Sequence, residues 1–111
     1  MEIHTRRVKD VVVADLIGRL DSRTVGPAST ELNGIAQAGD RKVLLNVAGL
    51  EYISSAGLRA IHVAAKLVKT HGGTLKICQA NAMVKEVMDV TGISHLLDLH
   101  TTEADALEAF V

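Results

Sequence analysis

Tryptophan is absent from this 111-residue chain, which has one tyrosine, one phenylalanine, one cysteine and one proline. Aliphatic side chains must therefore fill the core. The aromatic platforms on which single-stranded nucleic acids stack are missing. The single thiol, Cys78, allows neither an internal disulfide nor a cysteine-rich zinc site. Neither sign of charge dominates: 12 basic and 13 acidic side chains leave a formal net charge of −1. That balance argues against direct nucleic-acid binding. No apolar run approaches the roughly 20 residues needed to cross a bilayer. The opening "MEIHTRRVKD" is polar and charged, unlike a secretion signal. These absences predict one soluble domain over residues 1–111, in a reducing compartment and most simply the cytoplasm.

What is present alternates between two periods. Residues 2–8 alternate loosely, "KD" at 9–10 reads as a tight turn, and "VVVADLIGRL" is β-branched and apolar. Together they predict an N-terminal hairpin. Asp21 and Ser22 offer N-cap oxygens before a helical face of Val25, Ala28, Leu32 and Ile35, which Gly39 and Asp40 end. "KVLLNV", 42–47, is a short continuous apolar run, as in a strand buried on both faces. Leu58, Ile61, Ala65 and Val68 mark a second helix that stops at Gly72 and Gly73. "TLKIC" reads as a strand, "NAMVKEVMDVTG" as a helix capped by Asn81, "HLLDLH" as a short strand and "TTEADALEAF" as a last helix capped by Thr101 or Thr102. The order is ββαβαβαβα, an α/β domain with a mixed sheet that is largely parallel after the hairpin.

Several chemistries find no support. The five histidines, at 4, 62, 71, 95 and 100, lack metal-ligand spacing. The glycines form neither a dinucleotide fingerprint nor a phosphate loop. A triad of Ser55, His62 and Asp98 fails on distance, since His62 lies about 10 Å of helical rise from Ser55. Cys78 sits in a strand pattern and reads as a small core residue. No cofactor and no metal are expected, and catalysis is the weaker class.

One stretch remains unexplained. In "LEYISSAGLRAI", residues 50–61, two adjacent serines stand where the strand pattern yields to the second helix. A serine at a helix start can cap the first turn, contributing about 1 kcal/mol. Once phosphorylated it places a dianion near the positive end of the helix dipole, which tolerates it. Along the same helix Arg59, His62, Lys66 and Lys69 recur opposite the apolar face. This stripe is either a solvated face or a surface that meets an acidic partner.

"LLNVAGLEYISSAGLRAI" resembles the signature of the STAS family, the anti-sigma factor antagonists. Tyr52 and Ile53 match its aromatic–apolar pair, Ser55 its phosphorylated serine, and Gly57 and Leu58 its Gly-Leu. "GRLDSRT", "HGGTLKIC" and "VMDVTGISHLLDLHTTEADAL" are similar to family segments in the same order. Ala56 replaces the second Ser/Thr of the pattern, and two further departures matter. Ser54 stands in place of an Asp, and Asn46 in place of the strand-end Asp. Glu51, close by, could restore some of that charge.

The resemblance implies a ββαβαβαβα STAS fold and a non-enzymatic binding protein. Its partners would be an anti-sigma factor that is also a serine kinase, and a serine phosphatase. Ser55 would be the phosphorylated residue and Ser54 a lesser candidate. Partner contact would involve Asp21, Ser22, Asn46, Glu51, Ser54, Ser55, Gly57, Arg59, His62 and Lys66. A monomer when free suits such a switch. The alternatives are an unphosphorylated STAS adaptor in a signalling or lipid-transport complex, and a small nucleotide-binding domain using the Ser55 loop.

Overall fold

The structure, a computed structural model, describes residues 1–92 and 97–110. A hairpin of β1 (Glu2–Val8) and β2 (Val11–Leu20) opens the chain. Then follow α1 (Val25–Gln37), β3 (Lys42–Ile53), α2 (Ser55–Thr70), β4 (Thr74–Cys78), α3 (Ala82–Val90), β5 (Asp98–His100) and α4 (Glu103–Ala109). The order matches the sequence reading. Of the strand expected over 95–100, residues 95 and 96 lie outside the described residues.

The five strands lie in the order β1-β2-β3-β4-β5. The hairpin is antiparallel, and the three later pairings are parallel. Because no strand is skipped, right-handed crossovers place their three helices on one face of the sheet. That face is the main core. Ala28, Leu32 and Ala36 of α1, Leu58, Ile61, Ala64 and Val68 of α2, and Val84 and Met88 of α3 pack there. They meet Val12, Ala14, Leu16, Val43, Leu45, Leu75 and Ile77 of the strands. Small residues at Ala28, Ala36 and Ala64 bring the helices close to the sheet. Alone on the other face, α4 covers a small second core of Val11, Val13, Leu44, Cys78 and Ala106.

Two local expectations are corrected. β3 does not stop at Val47 but runs on to Ile53, so no loop precedes α2. Two register shifts, opposite Asp15/Ile17 and Gly18/Arg19 of β2, each take up one extra residue of β3 and let the two strands stay paired to Leu20↔Ile53. Such irregularities absorb an extra residue while pairing continues. Gly49 fits there because a Cβ would come within 3.0 Å of the Ile17 side chain. The second correction concerns α1, whose cap position is Thr24 rather than Asp21 or Ser22, and Thr24 makes no side-chain cap bond. Its Oγ1 faces backwards, donating to the Arg19 carbonyl at 2.8 Å and accepting from Asp21 N–H at 2.9 Å.

Candidate functional site

At the carboxyl edge of the sheet, β2 and β3 end side by side. Ser54 N–H donates to the Leu20 carbonyl at 2.9 Å, which ties the start of α2 to the end of β2. Gly57, in the first turn of α2, makes that approach possible. A Cβ there would stand 2.7 Å from Leu20 Cγ and 3.0 Å from its carbonyl oxygen. Asp21 follows Leu20 directly, so the junction it occupies lies beside the serine pair. Its Oδ1 accepts from Arg23 N–H at 2.9 Å and from Thr24 N–H at 3.3 Å. These amide donors, Arg23's first, hold the Asp21 carboxyl below the usual range and fix the anion at this edge. Arg19 completes the junction. Its guanidinium lies 4.5 Å from the centre of the Tyr52 ring and its Nε 3.8 Å from Asp21 Oδ2.

The two serines are not equivalent. Ser54 is the N-cap of α2, with extended backbone at φ −94° and ψ 171°, and its Oγ accepts from Gly57 N–H at 3.2 Å. Ser55 is the first helical residue and is exposed. No side-chain hydrogen bond engages it among the described residues. The first turn of α2 contains no acidic residue, so its amide dipoles face no carboxylate of their own helix. Arg59, Lys66 and Lys69 are exposed further along and His62 is half-buried, while Val63 is 42% exposed among them. Ser22 and Glu51 are also exposed.

Gly57 is buried, so its part in this edge is to let α2 sit close. Asn46 lies apart from the group, with its side chain on the α4 side of the sheet. There its Nδ2 donates to Glu103 Oε1 at 2.9 Å, and its Oδ1 accepts from Ala48 N–H at 2.9 Å. An aspartate in its place would set a second carboxylate against Glu103, which accounts physically for the amide at this position.

Sequence reasoning missed the cluster around Glu103. Arg6 of β1 pairs with Glu103 and with Asp15 of β2, at 2.8 Å from Nε and 3.1 Å from Nη2 for the latter. Gln79 Oε1 accepts from Glu103 N–H at 3.0 Å. Side chains from β1, β3 and the residue just after β4 thus converge on the first residue of α4. Arg6, followed by Asn46, holds the Glu103 carboxyl below its usual range of about 4.5. Beneath α4, burial pushes the Cys78 thiol up to about 12, so the thiol is not a nucleophile in this state.

The sign of the resulting linkage is fixed. A lowered carboxyl value contributes stability above pH 4.5 that is lost as pH falls through the folded value. Glu103→Gln is therefore expected to cost about 1 kcal/mol near neutrality, discounted because the group is partly exposed. That difference should shrink as pH falls below 4.5 and vanish only once pH is below the lowered folded value. Urea unfolding of both proteins at pH 7 and under acid checks this, and a difference independent of pH would show that the carboxylate is idle.

Among the described residues, no group of three His, Cys, Asp or Glu side chains could hold a metal ion. No described helix is long and apolar enough to cross a membrane. Nor does the sheet have a switch point where its strand order reverses, the place where doubly wound sheets open a ligand crevice. The carboxyl edge is a surface of turns and a helix end.

The comparisons with known proteins agree with this picture. BtrV of Bordetella bronchiseptica, provisionally named an anti-sigma factor antagonist, is 29% identical over 110 residues, covering 99% of this chain and 95% of that protein. The anti-sigma F factor antagonist of Paenibacillus polymyxa is 24% identical over 108 residues, covering 96% and 92%. Among solved structures, the anti-sigma factor antagonist SpoIIAA in its unphosphorylated form superposes with a TM-score of 0.78 at 18% identity, covering 96% and 94%. Its phosphorylated form, from Bacillus, superposes at 0.70 and 16% identity, covering 96% and 97%. The family model described as the STAS domain matches residues 2–106, and this chain belongs to that family.

Proposed function

We propose that this protein is an anti-sigma factor antagonist that binds an anti-sigma factor with serine kinase activity and is switched off by phosphorylation of Ser55. The observation that carries the reading is the asymmetry of the serine pair. Ser54 turns its oxygen back into the helix cap, whereas Ser55 presents a free hydroxyl at the exposed start of α2. The names of the relatives from Bordetella and Paenibacillus support the antagonist role, and the two forms of SpoIIAA show that a protein of this fold takes phosphate.

The contact surface is the carboxyl edge with Asp21, Ser22, Ser54 and Ser55, continued by Arg59, His62 and Lys66 along α2. A phosphate on Ser55 would add a dianion to an edge that already holds Asp21, while leaving the cap at Ser54 intact. Partner affinity then falls through changed surface charge rather than unfolding. Binding, not turnover, is the activity, and a serine phosphatase resets it.

The test uses the purified chain, a serine kinase recovered with it from the native cell, and ATP. Phosphate mapped by mass spectrometry should lie on Ser55, disappear in Ser55→Ala and persist in Ser54→Ala. The phosphorylated chain should bind that kinase at least about tenfold more weakly, equivalent to about 1.4 kcal/mol. Phosphate on Ser54 alone, or unchanged affinity after modification of Ser55, would overturn the proposal.

A further inference from the structure

Among the described residues α4 alone covers its face of the sheet, and little apolar surface holds it there. Of its seven residues only Ala106 is fully buried. The core beneath it is Val11, Val13, Leu44 and Cys78, with Leu107 and Phe110 packed at the margin. No residue of α4 belongs to the main core. Two separate hollows, of about 260 and 390 Å³, flank Phe110, so packing at this end is loose. A helix this short does not keep its shape alone in water. Docking and helix formation in α4 are therefore one event.

What fixes α4 is largely polar. At its start the Glu103 carboxylate accepts from Arg6 and Asn46, and the Glu103 N–H donates to Gln79 Oε1. Gln79 holds φ at +65°, a left-handed conformation that a side chain adopts only at a cost. At the other end the centre of the Phe110 ring lies 5.3 Å from Lys76 Nζ. Lys76, the only charged residue buried among the described residues, is paired with Asp98. The Arg6 and Glu103 side chains remain 41% and 27% exposed, so parting them returns both to nearby water at small cost. Thr101 and Thr102, both exposed, separate α4 from β5. No strand pairing runs through α4, so its departure leaves the sheet and the main core intact.

We propose that α4 is a strap that swings open about Thr101 and Thr102 as a unit while the rest of the domain stays folded, with the side chains around Glu103 as its latch. Opening uncovers Cys78 and an apolar strip of Val11, Val13 and Leu44. That strip lies toward the amino ends of β2 and β3, away from the serine edge, and opening does not require phosphorylation of Ser55. Closed, α4 denies the strip to any other chain.

Cys78 is the only thiol in the chain and is 0% exposed beneath α4, so its labelling reports the opening. The test is the rate at which an aromatic disulfide reagent labels the full chain without denaturant, beside amide hydrogen exchange. The thiol and the Ala106 amide, bonded to the Thr102 carbonyl at 3.1 Å, should give the same opening constant. It should exceed that of the Leu44 and Ile77 amides at least about a hundredfold. Arg6→Gln, which removes one arm of the latch, should raise it about fivefold. Gln79→Gly removes another arm and relaxes the backbone there, and should also raise it. Ile61→Val, in the main core, weakens the whole fold but should leave the opening constant unchanged. Labelling that opens no more often than the strand amides, latch variants no faster than the parent, or Ile61→Val as fast as they are would each overturn the proposal. So would labelling at the rate of a free thiol, since no strap would then be closed.

Discussion

Ile61→Ala should lose about 2–5 kcal/mol of unfolding free energy, the range for deleting a fully buried branched side chain. Ile61 is 0% exposed and sits in the main core, where α2 packs with the sheet and its neighbouring helices. The loss has two parts: the apolar surface returned to water, and the cavity that the surrounding side chains fill only partly. A domain of this size has only about 5–15 kcal/mol in total, so the variant should be marginal. Its thermal midpoint should fall on the order of 10 °C. Val63→Ala on the same helix is the matched control. Val63 is 42% exposed, and its loss should change stability by no more than about 0.5 kcal/mol. Chemical denaturation of the three proteins measures both effects, and equal losses would mean that α2 is not seated as described.

Gly57→Ala should lose about 1–3 kcal/mol even though it adds a single methyl group. The cause is space. The new Cβ would meet Leu20 Cγ at 2.7 Å, the Leu20 carbonyl oxygen at 3.0 Å and Ile53 Cγ1 at 3.1 Å. Leu20 and Ile53 are both fully buried, so neither side chain can swing aside. Either α2 shifts off the sheet or the end of β2 bends, and both movements displace Ser54 from the Leu20 carbonyl. Alanine is otherwise the better helix former by about 1 kcal/mol, so a loss at this position isolates the steric term. Unfolding curves together with amide shifts at Ser54 and Ser55 report stability and displacement. A variant as stable as the parent, with those amides unmoved, would refute the close packing.

Much of this architecture was legible in the chain, for identifiable reasons. Hydrophobic period located the helices, and glycines marked their ends: Gly39, Gly72 and Gly92 all have positive φ. Asn81 and Thr102 act as caps, accepting from Val84 and Asp105 N–H. β3 was read too short because Gly49 and Glu51 interrupt the apolar run, while the pairing that carries the strand to Ile53 depends on two extra residues in β3 taken up against β2. The separation of Ser54 from Ser55 rested on family register in the sequence and on one hydrogen bond in the structure. Glu103 left no local signal, since its partners Arg6 and Asn46 are 97 and 57 residues away. Lys76 did leave one: in "TLKIC" it alternates against Leu75 and Ile77, a cation in a strand otherwise apolar beyond its first residue.

The unbroken strand order has a consequence for how the chain is made. Each parallel strand joins the one completed just before it, and none must be inserted later between two that have already paired. Every crossover therefore closes over a short span of chain, where the entropy of closure is smallest. As the polypeptide leaves the ribosome, the sheet can grow at one free edge in order of synthesis, and each new helix finds its seat already built.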